Sequence, residues 1–185
     1  MKMKKRTWVI FIGFIVLVLG LIIYLNQREK RPFNTFEFPE TLTVQNYTEN
    51  ERGDTIAMVI LNKLLGYDTM NINIYPMPVV LSKDSKTEYI AMIKQVPFQK
   101  GDYVIFLKQD AGIGKMKMAL SHEMVNLKQF EDDRYGTIPG DNTRYVWLGD
   151  TIRAIDVKYE DRPHEKEAFR EGSKLERELN RILYK

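Results

Sequence analysis

The chain has 185 residues, with 28 Lys and Arg against 25 Asp and Glu, and no cysteine, which excludes a disulfide framework and any thiolate metal site. Residues 1–31 hold seven of the basic side chains and one acidic one, so the remainder carries 21 basic against 24 acidic, a net of −3. A mildly acidic remainder without a basic cluster excludes nucleic acid as the expected partner, and the length leaves room for one domain of about 150 residues with a real core.

Trp8 to Leu25 is a nearly unbroken apolar run of eighteen residues (WVIFIGFIVLVLGLIIYL). As a helix it would span about 27 Å, close to a hydrocarbon core. Trp8 and Tyr24 sit where interfacial aromatics belong. The run is longer than the core of a signal peptide, and the YLNQREKR that follows offers no small-x-small cleavage site. Residues 1–25 are therefore read as a cytoplasmic tip and transmembrane anchor, with the membrane as partner through residues 8–25. Four basic residues precede the run and three follow it, which favours an inside amino terminus and a soluble domain on the exported side. Residues 26–50, polar and with two prolines, read as a tether.

Residues 51–185 are expected to form the domain. Asp54 is suited to cap a helix over residues 55–65, with Ile56, Val59, Ile60 and Leu64 on one face and Gly66 ending it. Alternation predicts strands over residues 71–75, 89–96 and 103–107, the last two separated by Pro97 and the turn Lys100-Gly101-Asp102. Gly112-Ile113-Gly114 lacks the remaining spacing and the Lys-Ser/Thr of a phosphate loop, and reads as a flexible entry to the next helix.

That helix, expected over residues 115–132, has two stripes. Met116, Leu120, Met124 and Leu127 make an apolar one. Ala119, His122, Asn126 and Phe130 make its neighbour, so His122 and Asn126 project together. The last helix, over residues 162–184, opens on Pro163, a good first-turn residue. Ala168, Gly172, Leu175, Leu179 and Ile182/Leu183 form its buried stripe. Glu165, three residues before Ala168, falls on that stripe, whereas Glu167, Glu171, Lys174 and Glu178 fall on the solvent side. A carboxylate on a core face needs a cation or several donors. A metal is one candidate, and Arg134, Arg144 or Arg153 is another.

The stretch Ser121-His122-Glu123-Met124-Val125-Asn126-Leu127-Lys128-Gln129, followed by Arg162-Pro163-His164-Glu165-Lys166-Glu167-Ala168, resembles the small gluzincin metallopeptidases. In their H-E-x-x-H motif two histidines on one helix face bind zinc and the glutamate acts as general base. The resemblance implies an α+β fold: an N-terminal transmembrane helix, then a small zincin-like domain of a short sheet, an active-site helix and a C-terminal glutamate helix. It implies His122, the residue at Asn126 and Glu165 as metal ligands, Glu123 as the catalytic base, zinc as cofactor, and a peptide or protein ligand paired along the strand over residues 103–107. Tyr145 and Tyr159 are both available to stabilise an oxyanion, and the sequence selects neither. The departure is Asn126, which stands where the second histidine belongs; His164 is the other histidine within reach. An amide oxygen is a weak zinc donor, so the expected function is a membrane-anchored metallopeptidase-like domain whose hydrolysis is impaired or lost. The alternative is a non-catalytic membrane-tethered module of the same fold that binds a peptide or a protein.

Overall fold

The computed structural model describes residues 14–23, 32–78, 89–96 and 99–184. It divides into two compact units, residues 1–34 with Tyr184 and residues 35–183. In the first unit, residues 14–23 are helical and exposed. This is the described part of the apolar run, whose residues 8–13, 24 and 25 lie outside the described residues. Among the described residues no helix is long and apolar enough to cross a membrane.

The second unit is an α+β domain built on two sheets. The larger has strand order β1-β2-β4-β3: β1 (Leu42–Asn46), β2 (Met70–Pro76) and β4 (Asp102–Leu107) run parallel, and β3 (Ala91–Gln95) is antiparallel at the edge. The smaller is an antiparallel meander of β5 (Tyr135–Ile138), β6 (Asp141–Trp147) and β7 (Asp150–Arg153). Among the described residues the unit also has α1 (Gly53–Met58, continued as a π-helix over Val59–Leu64), α2 (Ile113–Glu131), α3 (Pro163–Leu183) and two short 3-10 turns, Ala154–Asp156 and Tyr159–Asp161.

The alternation in β2 buries Met70, Ile72 and Ile74, and that in β4 buries Tyr103, Ile105 and Leu107. Against this face pack Ile56, Ile60 and Leu61 of α1 and Met116, Leu120, Met124 and Leu127 of α2, all 2% exposed or less. Each such side chain contributes about 1.5–3 kcal/mol when fully buried. The apolar stripe expected on α2 is thus the core stripe. On α3, Ala168, Gly172, Leu179 and Leu183 are buried and Leu175 and Ile182 half-buried.

Three expectations need correction here, and one element lies beyond them. The span 26–50 is not all tether, because Leu42–Asn46 pairs in parallel register with Met70–Ile74 and buries Leu42. Asp54 does not cap α1: the cap position is Arg52, and Asp54 lies in the first turn, where its carboxylate accepts from the Thr55 amide at 2.7 Å. The meander over residues 135–153 was not anticipated. Finally, the strand over 103–107 is interior, between β2 and β3. Tyr-Val-Ile-Phe-Leu is apolar on both faces, as an internal strand is, whereas β3 (Ala-Met-Ile-Lys-Gln) ends on exposed Lys94 and Gln95.

Candidate functional site

Helix α2 rises directly from β4 and packs beside β3, bringing His122, Glu123 and Asn126 to the sheet edge. Residues four apart share a helix face, and Asn126 is accordingly buried while His122 is mostly covered. Helix α3 crosses α2 closely because Gly172 has no side chain. A Cβ there would lie 3.0 Å from the His122 Cα and 3.1 Å from its backbone nitrogen. Three further bonds fix the register of α3: Gln129 Nε2–H donates to the His164 carbonyl at 3.1 Å, and Arg134 grips Glu167 in a bidentate pair at 2.9 and 2.6 Å. Glu167 is therefore a packing residue and not a solvated one.

The result sets Glu165 against His122, Nε2 to Oε2 at 2.9 Å. His164, 2% exposed, places Nε2 at 3.5 Å from the other carboxylate oxygen, and the Tyr159 hydroxyl also bonds to Glu165. The three arginines considered for Glu165 are engaged elsewhere: Arg134 with Glu167, Arg144 with Asp141 and Arg153 with Asp156. Glu123 takes a different environment. Its Oε2 accepts from the Ile93 amide of β3 at 3.0 Å and from Asn126 Nδ2 at 3.4 Å.

These surroundings drive the titrations apart. Burial penalises the charged form of Glu165, but hydrogen bonds from His122, His164 and Tyr159 and the charge of His122 outweigh it, taking its pKa down to about 2. Burial dominates at Glu123 and holds its pKa above the ordinary value, with Glu165 adding to the shift; His122, Asn126 and the Ile93 amide offset it in part. For His122, burial opposes protonation, yet the bond to Glu165 and the charges of Glu123 and Glu165 raise its pKa. The Tyr159 hydroxyl is pushed far up by burial and by the two carboxylates. Two carboxyl groups with opposite shifts beside one imidazole form an arrangement suited to acid–base work.

A cavity of about 500 Å³ opens over this cluster, walled by β3, Glu123, Asn126, Arg162, His164 and Glu165. A smaller one of about 240 Å³, lined by Met118, His122 and Phe169 among others, adjoins it across Glu123 and Tyr159. All four residues expected at the site, His122, Glu123, Asn126 and Glu165, thus line one or other of these adjoining cavities. Of the two tyrosines, Tyr159 reaches the carboxylates. Tyr145 instead packs edge-on against the His164 ring, at 4.6 Å.

Among the described residues no group of three or more His, Cys, Asp or Glu side chains converges to hold a metal. The donors that the resemblance assigns are the His122 imidazole, the Glu165 carboxylate and the Asn126 amide, whose Oδ1 is buried without a hydrogen-bond partner; His164, the other histidine, bears on Glu165 from its second oxygen. That set fits a weak zinc site, with a neutral oxygen where a borderline ligand is usual. No family model, curated protein or solved structure matches the chain.

Proposed function

We propose that residues 35–183 form a zincin-like domain that binds an extended peptide beside edge strand β3, with hydrolysis impaired or lost because Asn126 stands at a metal-ligand position. The observation that carries this reading is the His122–Glu165 contact at 2.9 Å in a helix pair flanked by β3, the antiparallel edge strand among the described residues. The order of elements supports it too: parallel strands, an antiparallel edge, a helix bearing His-Glu, then a helix bearing the glutamate. An extended segment added to β3 would gain main-chain hydrogen bonds with little sequence preference.

His122, Glu165 and the Asn126 oxygen would hold a zinc ion, which when bound polarises a carbonyl and acidifies water. Glu123, buried and with a raised pKa, would take a proton and deliver it to a leaving amine. Tyr159 would stabilise charge on the oxygen opposite. The non-catalytic alternative, a peptide- or protein-binding module of the same fold, draws on a specific contact. Glu123 already accepts the Ile93 amide, which ties the would-be base to the edge strand. The apolar run over residues 8–25 is proposed to anchor the domain in a membrane, on the exported side.

Zinc stoichiometry of the full chain in detergent, measured for the native sequence and for Asn126→His, tests the reading. Tight zinc in both would support a working site. Zinc in Asn126→His alone would support the binding module. Zinc in neither would overturn the zincin-like assignment.

A further inference from the structure

The wall of the larger cavity holds a second polar group that none of the roles above employs. Arg162, immediately before α3, lines the cavity with Glu123 and Glu165, yet no carboxylate lies within ion-pair distance of it among the described residues. Its Nη2 donates to the Ala154 carbonyl at 3.1 Å. Its Nε is buried with no hydrogen-bond partner. The guanidinium is held beside two rings, 5.4 Å from that of Tyr159 and 6.0 Å from that of Tyr145. Next to it His164, also in the cavity wall and 98% buried, leaves Nδ1 unpartnered.

A guanidinium with an unused, desolvated donor is costly to keep unless something else meets it, because an unsatisfied buried donor loses its hydration without return. The two neighbouring rings hold the cation in the cavity wall without using its N–H groups. The matching chemistry is a carboxylate, which accepts paired N–H bonds from one guanidinium. We propose that Arg162 is the anchor of a carboxylate-binding subsite in the larger cavity, so that the docked ligand is a peptide carrying a carboxylate there. The carboxylate belongs to a chain terminus or to an acidic side chain; both present the same group to Arg162. The identity of the bearer rests on the peptide-groove reading. The carboxylate site itself does not.

The test is a titration of the full-length ¹⁵N-labelled chain in detergent micelles, following the Arg162 Nε–H signal, which is assigned by its loss in Arg162→Lys. The probes are N-acetylglycine, N-acetylglycinamide and N-acetylglutamate α-amide. The expected result is a saturable shift with at least one of the two acids, with an apparent affinity roughly tenfold or more above any response to N-acetylglycinamide, the scale of one charge-assisted hydrogen-bonded contact. A stronger response to N-acetylglycine would identify a chain terminus, and a stronger one to N-acetylglutamate α-amide an acidic side chain. No shift with either acid, or an equal shift with N-acetylglycinamide, overturns the proposal. A purely structural Arg162 would lower Tm in Arg162→Gln but show no such discrimination in the native chain. Edge-strand peptides that do not bind while N-acetylglycine still shifts Arg162 would remove the groove reading and leave the carboxylate site standing.

Discussion

Glu123 and Glu165 share one cluster and are held in opposite protonation tendencies by different neighbours. Glu165 gathers three side-chain donors, whereas Glu123 has one backbone amide and one long amide contact. Because Glu123's pKa is raised, the folded chain keeps a proton that the unfolded chain has already released, so this residue costs stability as pH rises above its ordinary value. Glu123→Gln should therefore raise Tm by a few degrees at pH 7 while abolishing any peptide hydrolysis; an unchanged or lower Tm would contradict the burial argument. In that Glu123→Gln background, with metal removed by chelation, the His122–Glu165 pair should set the remaining pH dependence. Glu165's depressed pKa gives stability that is lost as pH falls from about 4.5 towards 2. His122's raised pKa gives stability that is lost as pH climbs above 6.5 through its folded value. The urea midpoint should peak between those limits. Adding Glu165→Gln should remove Glu165's share of the acid limb and reverse the His122 limb, because burial alone then acts on the imidazole and opposes its protonation; the cost, about 3 kcal/mol where a buried imidazolium would be left unpaired, should fall as pH rises.

Between elements, Gly172 decides how near α3 comes to α2. Gly172→Ala would gain about 1 kcal/mol of helix propensity but press on His122 backbone atoms that cannot rotate away, an overpacking cost of about 1–3 kcal/mol. The expected outcome is a net loss of about 1 kcal/mol with weakened zinc or peptide binding, read from urea melts and titrations. Full retention of binding would mean that the helices part without disturbing Glu165. Strand β3 permits a cleaner test. Ile93 turns its amide away from β4 towards Glu123, and Val96 turns its own towards Asp102, so by alternation the Gln95 amide faces outward. Gln95→Pro removes an outward donor without breaking a ladder bond; it should leave circular dichroism intact and reduce peptide affinity by roughly tenfold. Much of this scale was legible in sequence. The periodicity of α2 and α3 gave both helices and the stripe that bears Glu165, and β2 and β4 announced themselves by alternation. The edge was misread because the resemblance pointed to the strand just before the active helix, although its doubly apolar Val104 and Phe106 argued for the interior. β1 was missed because five residues between polar neighbours carry little pattern. The meander lacked a strong apolar alternation. Arg162 gained meaning only from its place beside the Tyr145 and Tyr159 rings, which no spacing encodes.

For the whole chain, membrane attachment is a separable question from chemistry. The full chain should remain in the membrane pellet after alkaline carbonate washing, and deletion of residues 8–25 should release it; release of the intact chain would remove the proposed anchor. Within residues 35–183, the site joins partners that are far apart along the chain: His122 to Glu165 across 43 positions, Gln129 to His164 across 35 and Arg134 to Glu167 across 33. None of these contacts exists unless α3 is docked, and all lie in its first turns. Local opening of that end would dismantle the ion pair, the cavity wall and the carboxylate subsite in a single event. A ligand that favours the docked form must then slow amide hydrogen exchange across the first turns of α3 as a block, including residues it never touches.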